Sequence, residues 1–174
     1  MEAILKSKLN VKILTNTVYI ISAILLPQVF HIFGMAGTVF LPMHIPVILA
    51  GFTLGPIYGL LAGVASPVIS TMLTGMPVAF PMLPIMIFEL GAYGVVSGLL
   101  KKYTKLPIIL KLILTMLVGR IFYAVIFWII TMFADISANL SVVSAFITGI
   151  PGILIQLVLI TSIIKSLNKE EIND

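Results

Sequence analysis

Long apolar runs, interrupted by lysines, prolines and small polar clusters, follow one another along almost the whole chain. Six of them stand out as candidate membrane spans, at residues 11–30, 45–55, 57–74, 81–99, 107–133 and 142–165. A spanning helix needs roughly 20 mostly apolar residues, a length that five of the runs satisfy. The second is short. Flanked by Pro42, Pro46 and Gly55-Pro56, it reads as a partial or tilted crossing completed by the loop before it. The first run follows Lys6, Lys8 and Lys12 in the manner of a signal peptide, but no small-residue cleavage site follows Phe30, so it is expected to remain a helix.

Composition sharpens this picture. The chain is 60% hydrophobic and 9% charged, where soluble domains carry about 25% charge, and its mean hydropathy is +1.24. A soluble domain is excluded, and 174 residues used in this way leave no room for a separate catalytic one. The absence of cysteine rules out disulfides, thiolate nucleophiles and cysteine-based metal sites. A net charge of +4 would suit nucleic acid, but no soluble basic face exists to carry it.

The lysines instead set topology. Lys6, Lys8 and Lys12 precede span 1, Lys101, Lys102, Lys105 and Lys111 surround the connection between spans 4 and 5, and Lys165 and Lys169 follow span 6. The opposite connections, 31–44, 75–80 and 134–141, hold no Lys or Arg. By the positive-inside rule both termini are expected in the cytoplasm, which requires an even number of spans and makes the short second run a crossing. The expected fold is an all-α membrane protein, a six-transmembrane-helix bundle forming one domain over 1–174. No internal repeat or low-complexity linker divides it.

Within the apolar region two charged residues remain, Glu89 in span 4 and Arg120 in span 5. A charge at that depth costs about 2.5–3.5 kcal/mol on insertion scales and usually faces the protein interior or a water-filled cavity. Two readings stay open. Glu89 and Arg120 form a buried ion pair locking two helices, or Arg120 presents its planar fork to a substrate carboxylate or phosphate while Glu89 orients it or accepts a substrate hydroxyl or amine. Tyr93 lies one turn from Glu89, and Tyr123, Phe127 and Trp128 follow within two to three turns of Arg120. Such a lining suits a small amphiphilic ligand, although Trp128 is equally placed to be an interfacial belt residue. Gln156 is a polar group in an apolar run, near Gly149, Pro151 and Gly152, which are expected to bend or thin span 6.

His31 and His44 sit in the connection before span 2 with no carboxylate beside them, so hydrogen bonding rather than metal binding is expected. Asp135 and Asn139 lie in the third outer connection, placed either to close over a pocket or to face solvent. Gly55, Gly59 and Gly63 recur every four residues, continued by Ser66 and Ser70, as a surface for close helix contact within the bundle or for docking to another membrane subunit. No HExxH, P-loop or paired-aspartate motif is present, so neither an enzyme nor a bound cofactor is expected.

The stretch Met43-His44-Ile45-Pro46-Val47, followed by Gly51-Phe52-Thr53-Leu54-Gly55-Pro56-Ile57-Tyr58-Gly59 and Gly63, resembles the substrate-binding S-components of energy-coupling factor (ECF) vitamin transporters. The Thr74-Gly75-Met76-Pro77 loop, the segment from Glu89-Leu90 to Tyr93-Gly94 and the Pro151-Gly152 turn extend the resemblance to nearly the whole chain. It implies capture of a vitamin or related micronutrient at the outer face by spans 4 to 6, capped by the loops of His44, Pro77 and Asn139. It also implies a membrane coupling subunit and two ATPase subunits as partners. Family members often carry an alanine pair spaced by three residues on span 1, where this chain has Val18 and Ser22. If Arg120 is unpaired, an anionic substrate such as pantothenate fits; if Glu89 neutralises it, a pyridoxine-type vitamin or a queuosine precursor fits equally well. A non-transporting structural membrane subunit and a small oligomeric channel are the alternatives.

Overall fold

A computed structural model describes residues 2–32, 37–134 and 142–173. These form seven helices, α1 (Glu2–Ile32), α2 (Gly37–Phe40), α3 (His44–Leu54), α4 (Pro56–Thr74), α5 (Met82–Tyr103), α6 (Ile108–Phe133) and α7 (Val142–Asn173). No strand occurs among the described residues. Five helices are long and apolar enough to cross a membrane: α1 within Lys6–Phe30, α4, α5, α6, and α7 within Ile147–Leu167. The short second run is α3, apolar but only 11 residues long. At about 1.5 Å per residue it reaches roughly halfway through a bilayer core of about 30 Å.

Each expected run therefore becomes a helix, with ends that move outward where the helix continues into the polar flanks. α7 runs unbroken through Pro151, and α1 through Pro27. The sharpest reversal is at Gly55, whose φ of 102° and ψ of 175° belong to a region that glycine alone occupies readily, and Pro56 then opens α4 at a position where its missing N–H goes unused.

α5 is central, packing against α3, α4 and α6. Its contact with α4 is set by small residues. A Cβ added at Gly59 would strike the carbonyl of Gly94, one added at Gly94 would strike Gly59, and one at Gly63 would strike the carbonyl of Leu90. Two helices thus meet backbone to backbone, the arrangement that small residues permit where lipid supplies no hydrophobic drive between helices. The surface of Gly59 and Gly63 is consequently filled by α5, the contact within the bundle that the spacing allowed beside docking to a partner subunit. Gly55 serves the turn, with its own close contact to Gly98.

Around this seam the buried apolar residues, among them Val47, Ile48, Ala50, Ala62, Leu90 and Leu112, form one core, joined by Ile160 and Ile164 of α7. A smaller cluster of Ile85, Tyr123 and Phe127 lies between α5 and α6. On the lysine-bearing side, Lys111 is buried and its ammonium donates to the Thr104 carbonyl at 2.9 Å, tying the start of α6 to the end of α5.

Candidate functional site

The polar groups of the apolar region converge where α3, α5, α6 and α7 meet beneath α2. Glu89 and Tyr93 lie one turn apart on α5, and the Tyr93 hydroxyl donates to Glu89 Oε1 at 3.2 Å. From α6, Arg120 Nη1 stands 3.1 Å from the same oxygen. From α3, His44 Nε2 stands 3.6 Å from it. All four residues are buried, none more than 4% exposed. The ion pair expected between Glu89 and Arg120 is therefore formed, and it is embedded in a larger constellation.

Glycines make the room for it. The Tyr93 ring lies directly on Gly119 of α6, where any side chain would collide with it. A Cβ on Gly149 of α7 would lie 2.6 Å from Arg120 Nη2 and 3.3 Å from a methyl of Leu41. Of the bending or thinning expected of Gly149 and Gly152, the structure shows the thinning, as close approach: Gly149 seats the guanidinium, and Gly152 seats the backbone of Val39 and Phe40.

His44 is held in place by the turn before α3. Leu41 adopts a left-handed φ of 49°, an uncommon conformation for a residue with a branched side chain, and its carbonyl accepts the His44 N–H at 3.1 Å. The same carbonyl accepts Gln156 Nε2 from α7 at 3.2 Å. Gln156 is thus a clasp between α7 and the chain that positions His44. The imidazole meets the Tyr93 ring edge-on at a centroid distance of 5.1 Å. Neither of its nitrogens makes a hydrogen bond among the described residues.

Arg120 also lies over the Tyr123 ring, its guanidinium carbon 5.8 Å from the centroid, and Tyr123 stacks on Phe127 at 6.3 Å. Tyr123 therefore belongs to the wall of the site. Trp128 does not. It is 60% exposed on the outer surface of α6, apart from the buried constellation, which agrees with the belt reading of the two open for it. Asp135 and Asn139 fall outside the described residues, as does the side chain of His31. Among the described residues no three His, Asp or Glu side chains gather as metal ligands.

A separate groove of about 300 Å³ runs between α4, α5 and α6, lined by Leu60, Val64, Phe88, Ala92, Val95 and Phe122 among others. Its walls are apolar and several of its side chains are exposed on the bundle's outer face, so it offers a polar ligand nothing.

Sequence reasoning missed Gly119 and Leu41, and it named Gly149 only for bending or thinning its span. Gly119 carried a signal, as a small residue next to an intramembrane charge; the backbone of Leu41 carried none. No curated protein and no solved structure matches the chain. The family described as ECF transporter, substrate-specific component, matches residues 12–167. With a buried polar constellation inside a helical bundle and a match over nearly its whole length, the chain belongs to the family of substrate-specific components of ECF transporters.

Proposed function

We propose that this component captures a small polar nutrient in the space bounded by His44, Glu89, Tyr93, Arg120, Tyr123 and Gln156, for delivery across the membrane with a coupling subunit and two ATPase subunits. The observation that carries the reading is His44. A buried imidazole with no hydrogen-bond partner among the described residues is costly, and a ligand seated beside Glu89 would supply the missing bond. Apolar enclosure by Tyr123 and Phe127 and a few placed polar contacts would provide the affinity.

The pairing of Glu89 with Arg120 at 3.1 Å leaves the site without a net charge while His44 is neutral. That supports a neutral or cationic compound, of pyridoxine type or a queuosine precursor, ahead of an anion such as pantothenate. Asn139 is proposed to close the site from the third outer connection. In this reading α3 and the chain before it make one crossing, giving six spans in one domain over 1–174, with both termini in the cytoplasm by the lysine distribution. Because the glycine face of α4 is occupied within the chain, docking is proposed to pass to α1, where Val18 is 54% exposed.

Native mass spectrometry of the detergent-purified protein tests the reading. A retained vitamin-sized compound, identified after denaturation, is the expected result. An empty protein that also binds none of a vitamin panel would overturn it and return the structural-subunit alternative.

A further inference from the structure

The connection between α4 and α5, residues 75–81, has an unusual combination of features. It carries no charged residue, and Met76, Val78 and Phe80 are each more than half exposed. An exposed loop of a protein in water is normally polar, and a contiguous apolar patch marks an interaction surface.

Part of its backbone is bonded from within. The Ser70 hydroxyl donates to the Met76 carbonyl at 2.7 Å, and the Thr71 hydroxyl donates to the Pro77 carbonyl at 2.8 Å. The Val78 carbonyl accepts the Leu83 N–H, the Gly75 N–H donates to Thr71, and the Met76 N–H donates to the Thr74 hydroxyl. Pro77 and Pro81 have no N–H to satisfy. Side-chain hydroxyls at the end of α4 thus take the Met76 and Pro77 carbonyls and the Met76 N–H, groups that water bonds in an ordinary loop. At the edge of the hydrocarbon such internal bonds lower the cost of an irregular backbone.

The length of α4 points the same way. Its 19 residues extend about 28 Å, slightly less than a hydrocarbon core of about 30 Å. The chain leaving Thr74 has therefore hardly cleared the acyl region, and Met72 and Leu73 just before it are 80% and 72% exposed.

We propose that the 75–81 loop is a membrane anchor, lying at the boundary between acyl chains and headgroups with Met76, Val78 and Phe80 inserted among the lipid tails. The occupant of this apolar patch is lipid. The loop is thereby held at a fixed depth at the end of α4.

The chain has no cysteine, so single-site spin labels need no background substitution. Met76→Cys, Val78→Cys and Phe80→Cys are labelled in the otherwise unaltered full-length chain, reconstituted alone into phosphatidylcholine and phosphatidylglycerol vesicles. Collision rates with oxygen, which concentrates in lipid, and with a water-soluble nickel chelate are then measured. Phe88→Cys, exposed on α5, is the lipid reference, and Lys105→Cys, exposed in the lysine-rich connection, is the water reference. The expected result is an oxygen-to-nickel ratio at all three loop positions on the side of Phe88, several-fold above that at Lys105. A ratio like that of Lys105 overturns the proposal by placing the loop in water. Protection from both reagents also overturns it, showing that protein covers the patch.

Discussion

α5 has two seams of opposite character. Toward α4 it meets backbone with backbone, Gly94 against Gly59 and Leu90 against Gly63. Toward α6 and α3 it presents Glu89 and Tyr93, and the contact is built from an ion pair, a phenol and an imidazole. The first is a fit of shapes that tolerates no added atom. The second is a balance of charges and hydrogen bonds, which a ligand can enter and rearrange. One helix thus carries a joint of shape on one face and a joint of charge on the other, and in the proposed reading the first holds Glu89 in place while a ligand engages the second.

The comparison breaks most completely at the rigid seam. Gly59→Leu drives a side chain into the Gly94 backbone, which cannot rotate away, so the cost is expected to exceed the usual overpacking range of about 1–3 kcal/mol. Size-exclusion chromatography should recover no monodisperse protein; a well-behaved variant would show that the seam can open.

Arg120→Ala attacks the responsive seam. It leaves the Glu89 carboxylate buried beside only Tyr93 and His44, an expected loss of about 3 kcal/mol in stability and of more than tenfold in ligand affinity. Combining it with Glu89→Gln should recover much of the stability but not the binding, and a thermal-shift cycle over the four proteins reads the coupling directly. Stability and binding returning together would make the pair purely structural.

Gly149→Ala is subtler. The added methyl meets the far end of a flexible side chain, so Arg120 swings rather than the helix. Melting temperature should change by no more than a few degrees while ligand affinity falls several-fold in a titration. A large loss of stability with unaltered affinity would assign Gly149 to the rigid class. Smallest of all, Trp128→Leu exchanges one exposed apolar side chain for another, and should alter neither quantity beyond error.

How far these seams were legible in the sequence depended on the physics of each. The helices were legible because apolar runs of spanning length have few alternatives, and Glu89 and Arg120 because charge at that depth is rare. The glycine spacing showed that something approaches α4 closely, but spacing cannot distinguish a helix of the same chain from one of another. His44 was visible as a candidate, yet its place beside Glu89 depends on the left-handed turn at Leu41 and on the clasp from Gln156, which crosses more than a hundred residues of sequence. The outward aim of Trp128 turns on which face of α6 meets α5, a rotation that an apolar run of 26 residues does not encode.

The placement of Trp128 has an optical consequence. It is the one tryptophan in the chain, and it looks outward. Its emission therefore senses the polarity and order of the surrounding acyl chains, while the chromophores beside Glu89 and Arg120 are the phenols of Tyr93 and Tyr123. For a ligand seated beside Glu89 as proposed, a titration followed at tryptophan wavelengths would remain dark to occupancy, and the same titration excited for tyrosine would see it.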